Sequence, residues 1–455
     1  MKNIHKSIKF WLITVAILCT GALLSALDGS NWLRGWLAYS LLLGVSAVSL
    51  VFAGRLTTPG RPAFAAAITA FSARLVIGVA LTVLLPVIGY ANNAEHQAGY
   101  VFTDAYNRDH QAWELARSDQ PLSAAFSGEY ESDQYGGLLG LSALLYRFLS
   151  PDAHRQMLLL TLNASAAAWG VLLLWHALRS LFGERPATFA AWAFALYPES
   201  VLLASSQMRE ALIIPAVALT VFAYARFRAK QRGWWAWLAA AALILFPIQP
   251  LAGFAAFGVL AGFWLFDAAS LQGWSHRRGL LVGGVILAVG AVALLVAGAI
   301  LANLPSVQGA GPFGALLTWL RNNFTFQSYL AERASGMLQK LLDSTPEPLH
   351  WLVILVYGIA QPVLPAVVGD PGAAWVMRLV GLLRAGGWYA LAPFLVYAQM
   401  KLLRLRGEPR RWQLLWLSLV GWAWIAVSAL NAGGDQWDNP RYRTILLAWL
   451  ALLAG

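Results

Sequence analysis

Long, continuous runs of apolar residues separated by short polar turns dominate the pattern of this 455-residue chain. A helix needs about 20 apolar residues to cross a hydrocarbon layer of about 30 Å. Because the runs do not alternate, and because a backbone in lipid must satisfy its own hydrogen bonds, the pattern predicts helices. The predicted spans cover approximately residues 8–27, 33–53, 64–90, 157–178, 187–206, 211–229, 234–249, 251–268, 279–302, 384–403 and 412–431.

Three further apolar segments are too short or too interrupted to be predicted as ordinary spans. Residues 136–149 offer only 14 residues, which suits a helix lying in the membrane interface. Residues 348–368 contain prolines and are expected to be re-entrant or interfacial, although three crossings between 303 and 401 remain an alternative. A last run begins at Arg443 and stops after about a dozen residues. There we expect either the early end of a fragment or a half-inserted helix.

Composition supports this interpretation. The chain is 59% hydrophobic and 12% charged, with a mean hydropathy of +0.60, whereas soluble domains carry about 25% charged residues. We therefore predict an all-α polytopic membrane protein, with residues 1–455 forming a single transmembrane domain of about 11–13 transmembrane helices. The one cysteine, Cys19, lies in the first span, so an intrachain disulfide is excluded.

The basic residues give the predicted bundle its orientation. A net charge of +11 could indicate nucleic-acid binding, but the basic residues cluster between spans, so we expect no nucleic-acid partner. Cytoplasmic loops are enriched in Lys and Arg, and Lys2, Lys6 and Lys9 place the N-terminus inside. Residues 91–156 then form the first extracytoplasmic loop and 303–383 a late one with amphipathic segments. Three later basic clusters fall on the predicted cytoplasmic side as well: 226–232, 276–278 and 401–411.

The segment from 91 to 135 is unusually acidic for its surroundings. It contains eight carboxylates and only two arginines. Asp104 and Asp109 lie five residues apart near a membrane surface and are candidates for a general base and its helper; a solvated face or a helix cap is the alternative. The other six acids are expected to be solvated: Glu95, Glu114, Asp119, Glu129, Glu131 and Asp133.

Further charged candidates fall on the same predicted face. Glu210 follows Arg209 at a tight turn, and it could serve a site, stabilise the next helix N-terminus, or pair with Arg209. Arg441 and Arg443 could hold a phosphate, since arginine binds such groups bidentately, or could contact lipid headgroups. Arg74 lies within a span, where a charge is functional by default or structurally paired.

The order of these features resembles the GT-C membrane glycosyltransferases, such as protein O-mannosyltransferases and lipid A aminoarabinose transferases. The resemblance rests on the stretch Asp104-Ala-Tyr-Asn-Arg-Asp-His, on Ala-Leu-Tyr-Pro before Glu199, and on Ser205-Ser-Gln-Met-Arg-Glu. It covers about 104–229. The chain departs from the family pattern in having three predicted spans before the acidic loop, and Asp-Ala where an Asp-Glu pair is common.

The resemblance implies a GT-C-like bundle with interfacial helices and an active site on the extracytoplasmic face, in a bacterial inner (plasma) membrane. It implies Asp104 as the catalytic base, with Asp109 as second choice, and Glu210 as a site residue. It also implies inverting transfer from a polyprenyl-phosphate-linked sugar to a glycan, lipid or protein acceptor. The predicted substrate-binding residues are Arg209, Arg441, Arg443, Tyr106 and Arg74.

Cofactor use is left open by the sequence. The histidines show no metal-ligand spacing, and the sequence establishes no cofactor with certainty. A divalent cation (Mg²⁺ or Mn²⁺) remains an option, because Asp104, Asp109 and Glu210 could supply oxygen ligands.

Two other functions compete with glycosyl transfer from a lipid phosphate. An O-antigen polymerase or ligase would place its key residues in the late loop, among Arg321, Arg333 and Lys340. A lipid-linked sugar flippase or transporter would have paired broken helices and polar residues near the bilayer midplane. The break at Pro247 and Pro250 is one such candidate.

Overall fold

The computed structural model describes residues 2–127, 129–130, 132–271, 311, 313–315, 317–318, 321, 336–364, 374–404, 410–432 and 438–455. The α-helices in these residues are α1 (Lys2–Asp28), α2 (Trp32–Thr57), α3 (Arg61–Ile88), α4 (Ala94–Gln97), α5 (Thr103–Arg117), α6 (Gly137–Leu149), α7 (Met157–Phe182), α8 (Glu184–Leu196), α9 (Pro198–Ala204), α10 (Glu210–Arg228), α11 (Trp234–Ile248), α12 (Pro250–Leu271), α13 (Gly336–Asp343), α14 (His350–Ala360), α15 (Trp375–Arg404), α16 (Arg411–Asn431), α17 (Asp438–Thr444) and α18 (Leu447–Ala454).

Eight of the described helices are long and apolar enough to cross a membrane, or nine if the bent pair α8 and α9 forms one span. The eight are α1, α2, α3, α7, α10, α12, α15 and α16. Each overlaps a predicted span, so the all-α polytopic fold is confirmed. The predicted span at 279–302 lies outside the described residues, and the total of about 11–13 spans stays a prediction.

The centre of the bundle is built on α7 and α10. Both are buried along most of their length, and α7 packs against α2, α3, α8 and α10. Close approach is possible because Gly170 has no side chain: a Cβ there would lie 3.0 Å from the Phe194 ring. Helix α2, in contrast, exposes apolar residues at helical spacing, including Leu33, Leu37 and Leu41. These residues form a face suited to lipid.

Several shorter helices complete the bundle. The predicted short helix at 136–149 is confirmed as α6, which has 13 residues. In the region predicted to be re-entrant, α14 ends at Ala360, whereas 365–368 lie outside the described residues. The apolar run predicted to begin at Arg443 is divided between two short helices. Arg443 lies inside α17, and the apolar residues after it form the eight-residue α18, which is buried against α8 and α15.

The bend between α8 and α9 is 49° and occurs before Pro198, which has no backbone N–H to continue the helix. Arg74 of α3 donates hydrogen bonds to groups on both sides of this bend. Its guanidinium donates to the carbonyls of Ala195 (2.8 Å) and Phe194 (3.3 Å), and to Ser200 Oγ (2.9 Å). The structure thus favours the structural alternative for Arg74 over substrate binding, because these bonds use a side chain that is 1% exposed.

Candidate active site

Three carboxylates from distant parts of the chain meet around one arginine. Arg441 donates from Nε to Glu210 Oε1 (2.9 Å) and from Nη1 to Asp104 Oδ2 (2.9 Å). The same Nη1 reaches Asp438 Oδ1 at 3.2 Å. We call Asp104, Glu210, Asp438 and Arg441 the Arg441 cluster. It joins α5, α10 and α17, and it brings together three residues that the sequence proposed separately.

Local structure explains how the acids are positioned. Asp104 lies in the first turn of α5, Glu210 is the first residue of α10, and Asp438 is the first residue of α17. Helix N-termini present unpaired backbone N–H groups and a partial positive charge, which stabilise carboxylates there. Three helix N-termini therefore converge on Arg441.

The members of the cluster differ in their access to solvent. The Glu210 side chain is completely buried, whereas that of Asp104 is 54% exposed. Partial burial alone would raise the pKa of Asp104, but the charge and hydrogen bond of Arg441 outweigh it and lower that pKa. Asp104 is thus ionised and accessible, as a group that accepts a proton from an incoming molecule must be.

A second charged group lies beside the Arg441 cluster. The two are neighbours in the chain, because Arg209 belongs to the second group and Glu210 to the cluster. Arg108 Nε lies 3.6 Å and Arg209 Nη1 3.8 Å from Asp133 Oδ1, distances too long for hydrogen bonds. We call Arg108, Arg209 and Asp133 the Asp133 group. Asp133 Oδ2 accepts from the backbone N–H of Leu139 (2.9 Å), which fixes it at the start of α6. The prediction that Asp133 is solvated is wrong, since it is 3% exposed.

The arginines of the Asp133 group have unused hydrogen-bond donors. Nε and Nη1 of both Arg108 and Arg209 are buried and have no hydrogen-bond partner among the described residues. Buried charged donors without partners carry a large desolvation cost. An anion with several oxygens would satisfy them, and a phosphate presents such oxygens to a guanidinium.

Charge is divided unequally across the site. The Arg441 cluster sets three carboxylates around one guanidinium. The Asp133 group sets two guanidiniums around one carboxylate. With all groups ionised, one side is net negative and the other net positive, so the site suits a substrate that develops charges of both signs.

The structure separates Asp109 from Asp104. Residues five positions apart on a helix lie about 140° apart around its axis. Asp109 is enclosed, where it accepts hydrogen bonds from the hydroxyls of Tyr100 (2.5 Å) and Tyr146 (2.5 Å) and contacts His154 Nε2 (2.8 Å). The described contacts of Asp109 thus connect α5 to α6 and to the segment just before α7, and they do not support its pairing with Asp104.

Tyr106 and Arg443 also lie in other surroundings. The Tyr106 ring packs against His110, with centroids 4.3 Å apart. Arg443 donates to the carbonyls of Ile359 (3.1 Å) and Gln361 (2.8 Å), and its guanidinium lies 3.6 Å from the Trp388 ring centroid. These contacts describe a structural role for Arg443 and give no support to its predicted contact with substrate.

The enclosed Asp109 site predicts a pH-dependent stability. Burial alone would lower the pKa of His154, but the carboxylate of Asp109 outweighs it and raises that pKa above the ordinary value. A raised pKa in the folded state gives stability that is complete below about pH 6.5, the unfolded value. This stability is lost as the pH rises through the folded value. We therefore expect the melting temperature of the wild type to fall as the pH rises from the unfolded to the folded pKa of His154. The hydrogen bond between His154 and Asp109 should contribute about 1.5–3 kcal/mol to the free energy of unfolding when His154 is protonated.

Thermal unfolding of the wild type and His154→Gln, followed across about pH 6 to 9, checks this expectation. The variant should melt at a lower temperature at the acid end and show a flatter pH profile. Parallel profiles for the two proteins would contradict the assignment.

The side chains of the described residues are not arranged to hold a divalent cation. Within the described ranges, no group of three or more His, Cys, Asp or Glu side chains could hold a metal ion. Arg441 occupies the space between Asp104 and Glu210, and Asp109 is enclosed elsewhere.

Three members of the site were missed from the sequence. Arg108 follows Asp104 by one helical turn, and Asp438 precedes Arg441 by three residues, so helical spacing could have linked each pair. Asp133 lies just before Gly136 and Gly137, where an acid can accept a hydrogen bond from the first turn of a helix. These three sequence features are short and common in other proteins, so none of them alone indicates a site.

Comparison with known proteins gives one family match. Residues 154–296 match the family model of the dolichyl-phosphate-mannose-protein mannosyltransferases. This match includes Arg209 and Glu210 but not Asp104 or Arg441. The predicted resemblance to GT-C membrane glycosyltransferases is confirmed by it. No curated protein sequence matches the chain.

Among solved structures, the chain is similar to the archaeal oligosaccharyltransferase AglB from Archaeoglobus fulgidus, in complex with an inhibitory peptide and a dolichol-phosphate. The identity is 15% and the TM-score 0.40, over 85% of this chain and 50% of that one. This chain therefore spans about half the length of the archaeal protein.

Proposed function

We propose that this protein is a glycosyltransferase that moves a sugar from a polyprenyl-phosphate-linked donor to a hydroxyl group of an acceptor at the extracytoplasmic face of the membrane. The observation that carries the proposal is the unequal division of charge between the Arg441 cluster and the Asp133 group. The match of residues 154–296 to mannosyltransferases named for dolichyl-phosphate-mannose supports the donor class.

The chemistry of a glycosyl phosphate matches this division. As the bond between the anomeric carbon and the phosphate oxygen breaks, positive charge develops on the sugar ring, as in an oxocarbenium ion. Negative charge develops on the departing phosphate. The carboxylates of the Arg441 cluster stabilise the first charge, and the guanidiniums of Arg108 and Arg209 stabilise the second.

Asp104 acts as the catalytic base. The acceptor oxygen forms its bond to the anomeric carbon as the phosphate leaves, and the proton of the acceptor hydroxyl passes to the Asp104 carboxylate. Pairing with Arg441 leaves Asp104 ionised before the reaction. Attack opposite the leaving group inverts the configuration at that carbon, and polyprenyl phosphate is the second product.

The structure suggests different roles for the two arginines considered for phosphate binding. Arg441 is surrounded by three carboxylates, so its charge is already balanced and it acts as a positioning residue for Asp104 and Glu210. Arg209 has unused donors beside the cluster and is better placed to bind the phosphate, together with Arg108. Arg443 has no part in the proposed reaction.

The proposed location follows from the loops. Lys and Arg enrichment assigns the N-terminus to the cytoplasm and the segment carrying Asp104 to the opposite side. A bacterial inner membrane, with a glycan, lipid or protein as acceptor, fits the resemblance on which the proposal partly rests. Membrane lipids surround the apolar outer faces of the helices.

A reconstitution assay tests the proposed function. The purified full-length protein in lipid nanodiscs is incubated with a panel of radiolabelled polyprenyl-phosphate sugars and with a membrane extract as the source of acceptor. We expect release of polyprenyl phosphate and labelling of an acceptor with at least one donor. Movement of the lipid-linked sugar across liposomes without either product would favour a flippase and contradict the proposal.

The polymerase or ligase alternative makes a different prediction about residues. Arg321 and Lys340 are exposed, and Arg333 lies outside the described residues. If the late loop carried the chemistry, alanine at these positions would abolish transfer while Asp104→Asn would not. The proposed site requires the reverse.

A further inference from the structure

An open hollow of about 540 Å³ lies at the turn between α10 and α11. Its size is that of a small-ligand site. The lining is both cationic and aromatic: Lys230 and Arg232 contribute positive charges, and Phe227, Trp234 and Trp235 contribute rings. No acidic residue is among those that line it. The hollow therefore suits a ligand that combines negative charge with apolar surface.

This hollow lies at the opposite end of α10 from the candidate active site. Glu210 is the first residue of the helix and Arg228 is the last. The 19 residues of α10 rise about 28 Å, which is close to the thickness of the hydrocarbon core of a bilayer. A phosphate in the hollow would thus be far from Arg108 and Arg209, and it would not be the donor phosphate of the proposed reaction.

The charges that line the hollow are not neutralised by the described part of the protein. Two neighbouring arginines are already engaged: Arg228 pairs with Asp267 of α12, and Arg226 lies over an aromatic ring of its own helix at 5.6 Å. Lys230 and Arg232 have no carboxylate partner among the described residues. The N-terminus of α11 adds a partial positive charge, since no side chain caps it. An anion would balance these charges.

The backbone holds Lys230 in a conformation that is unusual for lysine. Helix α10 ends in a Schellman motif, in which the N–H of Gln231 donates to Arg226 O (3.0 Å) and that of Lys230 to Phe227 O (2.9 Å). This motif requires a left-handed residue, usually glycine. Lys230 takes that place with a φ of +52°. Its strain is not offset by an ion pair within the described residues, which favours a role for its charge toward a ligand.

The rings indicate that the anion belongs to a lipid. Trp235 is 65% exposed, and Phe227 and Trp234 pack edge to face with centroids 5.0 Å apart. Tryptophan is enriched where a bilayer meets water, because its ring is apolar and its N–H is polar. A soluble phosphate would leave these rings uncovered. A glycerophospholipid would place its phosphate beside the cations and its glycerol and first methylene groups against the rings.

We propose that the hollow between α10 and α11 binds the headgroup of an anionic glycerophospholipid of the surrounding bilayer, with the phosphate held by Lys230 and Arg232. The lipid carries a net negative charge, because a zwitterionic headgroup would bring a further cation to two that lack a carboxylate partner. Cations next to a membrane span attract such lipids. The site is separate from the Arg441 cluster and does not depend on sugar transfer.

Photocrosslinking in nanodiscs tests the proposal. The full-length protein in phosphatidylcholine nanodiscs receives phosphatidylglycerol with a photoreactive diazirine near the glycerol, and the labelled peptides are mapped by mass spectrometry. We expect labelling within residues 227–235. Lys230→Asn combined with Arg232→Gln should lower it about tenfold or more, since each cation near the surface contributes roughly a fivefold preference for anionic lipid. Asparagine tolerates the left-handed conformation of residue 230.

A matched double variant controls for overall charge. Arg55 and Arg61 are exposed on either side of the turn between α2 and α3, and neither lines the hollow. Arg55→Gln combined with Arg61→Gln removes the same net charge and should leave labelling of residues 227–235 unchanged. Equal losses in the two double variants would show that only the total charge matters, and would overturn the proposed site.

Competitors identify the source of the phosphate. Unlabelled phosphatidylglycerol should displace the photoreactive lipid, whereas phosphatidylethanolamine and soluble glycerol 3-phosphate should not. Effective competition by glycerol 3-phosphate would indicate a site for a soluble anion. Stronger competition by decaprenyl phosphate than by phosphatidylglycerol would indicate a second site for the donor lipid. Either result, or equal competition by phosphatidylethanolamine, would overturn the proposal.

Lys230→Gly separates loss of binding from loss of folding. Glycine adopts the left-handed conformation without steric cost, so this variant should melt at or above the temperature of the wild type. It should nevertheless lose about fivefold of the labelling, because one cation is gone. A Lys230→Gly protein that keeps full labelling would remove Lys230 from the site. Sugar transfer is not measured in any arm, so this proposal and the proposed function can fail separately.

Discussion

Asp104→Asn is expected to lower the rate of sugar transfer by about 10²–10⁴-fold, the usual contribution of a positioned general base. Asparagine keeps the size of the side chain, and its carbonyl oxygen can still accept the hydrogen bond of Arg441 now made at 2.9 Å. It cannot take up a proton from the acceptor. Because Asp104 is half exposed, its ion pair contributes little to folding.

The measurement is the initial rate of polyprenyl phosphate release together with the melting temperature of each protein. Asp119→Asn is the matched control, since Asp119 is an exposed acid in the same acidic segment. We expect that control to keep the wild-type rate, and both variants to melt near the wild type. A fully active Asp104→Asn protein would remove Asp104 from the mechanism.

Arg441→Met is expected to destabilise the protein strongly, by about 3–5 kcal/mol, as does removal of one partner from a buried ion pair. The reason is Glu210, whose side chain is completely buried and whose Oε1 depends on Arg441 Nε. Its other oxygen already has no hydrogen-bond partner among the described residues. Asp104 and Asp438 face solvent and add little to this cost.

A double-mutant cycle separates stability from catalysis at this position. Adding Glu210→Gln to Arg441→Met removes the buried negative charge, so the double variant should regain much of the lost stability. Transfer should stay impaired, because Asp104 no longer has its positioning partner. Simple addition of the two losses in thermal or denaturant unfolding would show that Arg441 and Glu210 are not energetically coupled.

The helices of the bundle could be predicted wherever apolar residues alone decide the structure. Helix α15 shows the limit of this rule, since it begins at Trp375 whereas the predicted span begins at 384. Arg384, the first residue of the predicted span, lies within this helix and is buried in an ion pair with Glu199 of α9 at 2.5 Å. A sequence does not reveal that a charge inside a helix will find its partner on another helix.

The candidate site could be predicted only in part, for a related reason. The order of loops indicated that Asp104, Glu210 and Arg441 share one side of the bundle, yet their convergence depends on the packing of three helices. Asp104 and Asp109 were paired by their closeness in sequence, whereas a spacing of five residues on a helix directs them to different faces. Asp133 was misjudged because its burial depends on the two arginines beside it.

The most direct test of the central claim is a cryo-electron microscopy structure of the full-length Asp104→Asn protein in nanodiscs with a polyprenyl-phosphate sugar. The account predicts the phosphate within hydrogen-bond distance of Arg108 and Arg209, and the anomeric carbon facing residue 104. A donor phosphate bound instead near Arg321 and Lys340, or at the basic turn around Lys230, would contradict it.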